Sequence, residues 1–218
     1  MNVEQITERI ARYKNEGKKL FVTSSFQTHS IPLLHILSRI DASIPVMFIN
    51  TGYLFPETLT FRDQVTKLLG LSTVNVKSLV SRNLQRDDNG NLFFTSDPDR
   101  CCYLNKTQPM ERILTEYDVW INGIRADQND NRKTMAVEQD GAFNCRRFHP
   151  MLGWTSKMIH EYIQRHQLPR HPLEDKGYLS IGCEPCTRKY DFSNDRDARW
   201  FGMNKTECGL HTDLAGGK

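Results

Sequence analysis

Short apolar runs alternate with helical patterns through the first third of the chain. Three runs have the length and composition of buried strands. They are Leu20–Thr23, Val46–Ile49 and residues 74–76. Between them, one helical pattern opens near Pro32 and a second runs from Pro56 to Gly70, which ends it. This β-α-β-α-β order with short connections predicts a parallel, doubly wound sheet with helices on both faces.

The rest of the chain continues the α/β pattern until the C-terminal fifth. An amphipathic helix is predicted at Val3–Asn15, and another helix at residues 103–117 leads into a strand at 119–121. Thr155 is a suitable cap for a helix that ends near His166. Residues 87–91 predict a tight turn rather than a calcium loop, because the ligand spacing is absent.

Two polar segments follow predicted strands, at residues 24–30 and 50–53. In open parallel sheets, ligands bind beyond the carboxyl ends of the strands, where the strand order reverses. Both segments are therefore expected at this binding edge.

Composition and charge exclude several classes of protein. The 218 residues and 25.3 kDa fit one ordinary domain. The net charge of +3, from 29 basic and 26 acidic side chains, is too even to indicate a nucleic-acid binder. No apolar stretch approaches the length of a membrane span, and the N-terminus lacks the pattern of a secretory signal. A cytoplasmic location is the resulting expectation.

Six cysteines carry the strongest chemical signal, because in a cytosolic chain they indicate metal binding or thiol chemistry. Cys101 and Cys102 are adjacent, and Cys183 and Cys186 form a Cys-x-x-Cys motif. Four thiolates suit tetrahedral zinc or an iron–sulfur cluster. Adjacent cysteines are awkward ligands for one zinc ion, whereas a cluster offers iron corners in different directions. A buried thiol pair beside an unrelated Cys-x-x-Cys remains the alternative.

Cys208 lies ten residues from the C-terminus, on a segment rich in glycine and charge that is expected to be mobile. Lys205 and His211 can favour its thiolate, although an incidental exposed cysteine is the plainer interpretation. We therefore divide the chain into a domain at 1–195 and a C-terminal tail at 196–218.

Cationic side chains offer a way to hold phosphate or sulfate groups. The candidates are Lys106, Arg125, Arg196, Arg199 and Lys205, with solvated surface as the alternative for each. The histidines have no metal-ligand spacing.

Cys145 lies between the two cysteine pairs in the sequence and belongs to neither. Its neighbours Arg146 and Arg147 can lower a thiol pKa, but an unreactive cysteine is the favoured interpretation.

Six segments, in order, resemble the adenylylsulfate/phosphoadenylylsulfate reductase family of assimilatory sulfate reduction. They are SSF at 24–26, NTGYLFPET at 50–58, CC at 101–102, GIRADQ at 123–128, IGCEPCTR at 181–188 and KTECGLH at 205–211. The last two are the most specific. The resemblance implies an adenine-nucleotide-binding α/β fold of the PP-loop type, related to adenine-nucleotide α-hydrolases. It also implies an oxidoreductase that serves cysteine biosynthesis.

The resemblance further implies a reaction and its residues. Adenylylsulfate would be reduced to sulfite and AMP by thioredoxin or a glutaredoxin-like reductant, with Cys208 as the nucleophile that carries an S-sulfo intermediate. Substrate-binding roles would fall on Ser24, Ser25, Gly52, Tyr53, Lys106, Arg125, Arg196, Arg199, Lys205 and His211. Neither nucleic acid nor membrane is expected as a partner, and a homo-oligomer is left open.

The cysteine quartet resembles the branch of the family that carries a [4Fe-4S] cluster, which implies that Cys101, Cys102, Cys183 and Cys186 are its ligands. That branch mostly uses adenylylsulfate, but it often has a basic residue where this chain has Tyr53. Phosphoadenylylsulfate, or both compounds, is therefore the alternative substrate.

The phosphate-binding loop departs from the superfamily pattern Ser-Gly-Gly-x-Asp-Ser. Ser25 and Ser30 fit its ends, but Phe26 and Gln27 replace both glycines and the acidic residue is gone. This loss argues against a tRNA thiolation enzyme, which needs the intact loop. A nucleotide-binding module with structural zinc is the other alternative, but it leaves the KTECGLH segment unexplained.

Overall fold

One mostly parallel sheet organises the fold. The computed structural model describes residues 1–189, 209–212 and 214, and within these ranges the sheet has six strands in the order β3-β2-β1-β4-β6-β5. The strands are β1 Leu20–Thr23, β2 Val46–Ile49, β3 Thr73–Val76, β4 Val119–Asn122, β5 Glu138–Gln139 and β6 Arg146–Phe148. All neighbours are parallel except β5 and β6. The strand order reverses between β1 and β4, which are paired so that Thr23 lies beside Asn122.

Helices connect the strands and cover the sheet. They are α1 Val3–Asn15, α2 Ile31–Asp41, α3 Pro56–Leu69, α4 Phe93–Ser96, α5 Pro98–Cys102, α6 Gln108–Glu116, α7 Asp130–Lys133 and α8 Ser156–Arg165. Short 3-10 turns occupy Thr28–Ser30, Arg82–Leu84, Ala126–Gln128, Ala142–Asn144, Glu184–Cys186 and Gly209–His211. No helix in the described ranges combines the length and the apolar character needed to cross a membrane.

The helix ends follow from local sequence chemistry. Asn2 and Gln5 form a reciprocal capping box at the start of α1. Pro56 opens α3, and Gly70 ends it with φ at 62°, a left-handed conformation that glycine adopts without a Cβ penalty. Thr155 caps α8 by accepting from the Met158 N–H. The predicted bounds of α1, α3, β1 and β2 are confirmed.

Alternation along the strands divides the core between the two faces of the sheet. Val22 and Ile121 pack with α1, α2, α3 and α8 on one face. Phe21 and Trp120 point to the other face, where they pack with α6 and with Leu214 near the C-terminus. The predicted α/β doubly wound sheet with helices on both faces is therefore confirmed.

Two expectations need correction. The sheet is not wholly parallel, because β5 runs antiparallel at its edge. The predicted helix over 103–117 is instead a π-helical turn, Tyr103–Thr107, followed by α6. Helical structure begins earlier, at α5, because Asp97 caps the Arg100 N–H and Pro98 occupies the first turn.

Candidate active site

A cleft of about 380 Å³ opens at the carboxyl edge of the sheet, where the strand order reverses. Thr23 and Asn122, at the ends of β1 and β4, contribute to its lining, as do Ser24 and Ser25. We call it the switch-point cleft. Its position is the one expected for a ligand site in an open parallel sheet, and its volume is enough for a small ligand.

The loop after β1 keeps a glycine-like backbone without a glycine. Phe26 has a φ of 54°, in the left-handed region that bulky side chains rarely adopt. Its ring is fully buried and packs edge-on against Phe48, with centroids 5.6 Å apart. Gln27 connects the loop to residue Ile181, since its Oε1 accepts the Ile181 N–H at 3.1 Å. Packing and hydrogen bonds thus hold Phe26 in a backbone conformation that glycine adopts more readily.

Arg125 presents a partly satisfied guanidinium to the cleft. The side chain follows β4 and is 5% exposed. Its Nε donates to Asp127 Oδ1 at 3.0 Å, and its Nη2 donates to Ser156 Oγ at 3.0 Å. Its buried Nη1 has no hydrogen-bond partner within the part of the chain that the structure describes. An anionic ligand in the cleft would satisfy this donor.

Asn122 and His149 form a buried polar pair beside the cleft. His149 Nδ1 lies 2.6 Å from Asn122 Oδ1, and since the amide oxygen accepts, Nδ1 carries the proton. Burial, followed by the charges of Arg147 and Arg132, lowers the pKa of His149 to about 3. The pair is therefore neutral near pH 7. The Asn122 amide nitrogen has no partner among the described residues.

The four cysteines of the quartet meet around a second, much smaller cavity of about 10 Å³. Cys101 and Cys102 end α5, while Cys183 precedes the 3-10 turn Glu184–Cys186 and Cys186 ends it. The second pair is brought in by an antiparallel bridge between Leu54 and Cys183. We call this the cysteine cavity. The two cysteine pairs therefore line one cavity.

Polar groups point at the sulfurs of Cys101, Cys102 and Cys183. Thr51 Oγ1 lies 3.2 Å from Cys183 Sγ, and the Asn105 amide donates to Cys101 Sγ at 3.6 Å. Lys106 Nζ donates to Cys102 Sγ at 3.8 Å. Burial, and then the neighbouring cysteines, raises the pKa of Cys101 to about 12. Without a metal group the site thus favours a protonated thiol at Cys101.

The cysteine cavity is lined by side chains of the kind that bind metal groups. No set of three or more His, Cys, Asp or Glu side chains in the described ranges is arranged to hold a single metal ion. Four soft thiol donors around a closed cavity nevertheless form the donor set of an iron–sulfur cluster. Donors already directed at the sulfurs suit a negatively charged thiolate set.

The two cavities share a wall. Thr51, Lys106 and Cys183 line both of them. Of the other predicted site residues, Tyr53 lines the cysteine cavity, and Gly52 lies in the exposed turn before it. Cys208, Arg196, Arg199 and Lys205 lie outside the described residues, as does the proposed boundary between 195 and 196.

The C-terminal segment, residues 209–212 and 214, packs against the site. Leu210 and His211 line the switch-point cleft. Leu214 is 3% exposed and joins the core around Trp120. The segment therefore has apolar anchors, which the sequence analysis did not anticipate.

Cys145 does not behave as its basic neighbours suggest. It is fully buried, and burial raises the pKa of its thiol to about 12. Arg146 points outward while Arg147 points into the core, so neither turns this thiol into a reactive thiolate. The favoured interpretation of an unreactive cysteine stands.

Comparisons with known proteins show what this chain is similar to. The family described as "Phosphoadenosine phosphosulfate reductase domain" matches residues 19–189. A relative from Chelativorans sp., named adenosine 5'-phosphosulfate reductase, is 39% identical over 204 residues, covering 93% of this chain and 82% of that protein. One of the same name from Halalkalibacterium halodurans is 35% identical over 224 residues, covering 97% of each.

A solved structure shares the fold. The phosphoadenylyl-sulfate (PAPS) reductase from Candida auris, in a phosphate complex, superposes with a TM-score of 0.66 at 20% identity. The match covers 84% of this chain and 94% of that one.

Proposed function

We propose a function on the basis of family membership: this chain belongs to the phosphoadenosine phosphosulfate reductase domain family. It reduces adenosine 5'-phosphosulfate to sulfite and AMP, in assimilatory sulfate reduction. The observation that carries this proposal is the sequence identity of 39% and 35%, over more than nine-tenths of the chain, to two relatives named for that substrate. The buried Arg125 Nη1, which has no hydrogen-bond partner among the described residues, supports it independently, since Arg125 lines the cleft at the strand-order reversal. A cytoplasmic location remains a prediction from the sequence.

The chemistry requires a nucleophile and two electrons. Cys208 thiolate attacks the sulfate sulfur, a sulfur–sulfur bond forms, and the bond from sulfur to the bridging oxygen breaks as AMP leaves. A dithiol reductant of the thioredoxin or glutaredoxin kind then attacks Cys208 Sγ and expels sulfite. Its second thiol resolves the mixed disulfide, so that the dithiol is oxidised and Cys208 is restored.

The described neighbours of Cys208 support its role as nucleophile. Gly209 follows it directly, and Leu210 and His211 line the cleft. Arg125 and Lys106 would bind the phosphosulfate group together with Arg196, Arg199 and Lys205 of the tail.

A [4Fe-4S] cluster is the cofactor that best suits the cysteine cavity. Its ligands would be the thiolates of Cys101, Cys102, Cys183 and Cys186. Binding the cluster would therefore remove the proton from Cys101. The cluster would supply local charge next to the substrate. Lys106, which lines both cavities, would lie between that charge and the phosphosulfate.

Phosphoadenosine phosphosulfate is the second candidate substrate. Tyr53, at a position where the cluster-bearing branch often has a basic residue, is the observation that favours it. Sulfite release from the two compounds, measured side by side, distinguishes them. We expect adenosine 5'-phosphosulfate to have the higher kcat/KM, and a tenfold preference for the 3'-phosphorylated compound would reverse the assignment.

The intermediate gives the decisive test of the mechanism. Wild-type protein incubated with adenosine 5'-phosphosulfate and no reductant should gain the mass of one SO3 group on the peptide that contains Cys208. Cys208→Ser should still bind AMP but release no sulfite, because a hydroxyl is a far weaker nucleophile than a thiolate. Full activity in Cys208→Ser, or an adduct on Cys145, would contradict the proposal.

A further inference from the structure

A buried arginine connects the sheet to the C-terminal segment. Arg147 on β6 is fully buried and pairs in register with Trp120 on β4. Its guanidinium carbon lies 5.1 Å from the centroid of a Trp120 ring. Arg147 Nη2 also lies 3.0 Å from His211 Nδ1. Since arginine only donates, Nδ1 of His211 is the acceptor and carries no proton.

His211 has a second contact with the same pair of strands. Its imidazole stacks on Trp120, with ring centroids 6.1 Å apart and planes 16° from parallel. The two contacts fix different properties of the ring, because stacking sets its plane and the hydrogen bond sets its rotation within that plane. Beyond His211, the Leu214 carbonyl accepts a hydrogen bond from the Ala142 N–H at 3.5 Å, which adds a second point of attachment for the C-terminal segment. We call the Arg147 and Trp120 pair the His211 seat.

A charge at this position is costly for stability alone. The neighbouring residues on this face of the sheet are apolar, including Phe21 and Met110. Burying a guanidinium among them carries a desolvation penalty that a methionine or leucine of similar volume would avoid. One of its donors, Nη2, is directed at His211.

We propose that Arg147 is a positioning residue, which seats His211 and thereby directs Cys208, three residues earlier, toward the substrate. This inference rests on the proposed function. Arg147 would therefore act on the step in which Cys208 attacks sulfur, and not on nucleotide binding.

The test compares Arg147→Met with Arg146→Gln, a matched control on the same strand. Arg146 is exposed, and it pairs at the surface with Asp140 at 3.6 Å. We expect Arg147→Met to form the Cys208 adduct at least tenfold more slowly in a single turnover, with kcat lowered and KM little changed. Its Kd for AMP should stay within about twofold of wild type. Arg146→Gln should match wild type in each measurement.

A double-mutant cycle separates positioning from general stability. His211→Phe keeps a ring for Trp120 but removes the acceptor of the Arg147 bond. If the seat acts through that bond, adding Arg147→Met to His211→Phe should slow adduct formation little further. Losses that multiply, or an adduct rate in Arg147→Met equal to wild type, would overturn the proposal.

One measurement needs no substrate. The ¹⁵N shift of His211 Nδ1 should show an unprotonated, hydrogen-bonded nitrogen in wild type near neutral pH, and it should change in Arg147→Met. If wild type forms no adduct but this shift behaves as expected, the proposed function fails while the seat stands. If Arg147→Met leaves the shift unchanged, the seat is wrong.

Discussion

Thr51 Oγ1 lies 3.2 Å from Cys183 Sγ, although the two residues are 132 positions apart in the sequence. The same oxygen accepts the Tyr53 N–H at 3.2 Å, so its own hydrogen is available to the sulfur. Thr51 also lines the switch-point cleft. A single hydroxyl thus contacts both the wall of the cleft and a sulfur of the cysteine cavity.

Removing this hydroxyl should weaken the cysteine site before it affects the fold. Thr51→Val keeps the shape but leaves the Tyr53 N–H and the sulfur without their partner, at a cost of about 1–3 kcal/mol. We expect anaerobically purified Thr51→Val to lose iron to a chelator several-fold faster than wild type. Thr51→Ser retains the hydroxyl and should behave like wild type. Equal rates for Thr51→Val and wild type would contradict this role.

Arg125 should contribute to substrate binding through its unsatisfied donor. A hydrogen bond from a charged donor contributes about 1.5–3 kcal/mol. Replacing the guanidinium by lysine removes the fork that Asp127 and Ser156 hold in place. Arg125→Lys should therefore lower kcat/KM by about tenfold to a hundredfold.

The control for Arg125 is Arg112→Gln on the exposed face of α6. Arg112 forms a surface ion pair with Glu116, and its side chain is 85% exposed. It should leave kcat/KM unchanged. An Arg125→Lys enzyme with wild-type kcat/KM would mean that the ligand anion binds elsewhere.

The sequence predicts the elements that local chemistry determines. The apolar run of β2 and the proline and glycine around α3 carry their own start and end signals, and the structure confirms these elements. Strand β6 was missed, because its sequence, Arg-Arg-Phe, has no apolar run. What places Arg147 in a strand is the pairing of β6 with β4, where Arg147 lies beside Trp120, and no local pattern contains that pairing.

The candidate site likewise has residues that the sequence indicated and residues that it did not. Cysteine spacing predicted the quartet, since thiol chemistry is visible residue by residue. Asn122 and His149 were missed, because a single asparagine and a single histidine carry no spacing signal. Their pairing exists only because β4 and β6 are neighbours in the sheet.

Cys145 should be dispensable for catalysis. The thiol is buried, with its pKa raised to about 12, and it should resist alkylation until the protein unfolds. Cys145→Ser should keep near-normal turnover while its free energy of unfolding falls by about 1–3 kcal/mol, since the hydroxyl enters an apolar site. Native-state alkylation at Cys145, or a hundredfold loss of turnover, would show that a catalytic thiol had been overlooked.

The last prediction concerns acid and the buried His149. Its folded pKa is lowered to about 3, mainly by burial, against an ordinary value of 6.5. Between these values the unfolded chain binds a proton that the folded chain excludes. The free energy of unfolding therefore falls as the pH drops below 6.5, by at most about 1.4 kcal/mol per pH unit, and the loss is complete near pH 3.

His149→Gln tests this linkage directly. Glutamine can still donate to Asn122 Oδ1, but it does not titrate. Urea unfolding of both proteins at pH 7.5 and pH 5 should show wild type losing about 2 kcal/mol more than the variant. His171, whose pKa burial lowers to about 4, is present in both proteins and cancels in the difference. Parallel losses in the two proteins would mean that His149 becomes protonated within the folded state, and that its pairing with Asn122 does not hold it neutral.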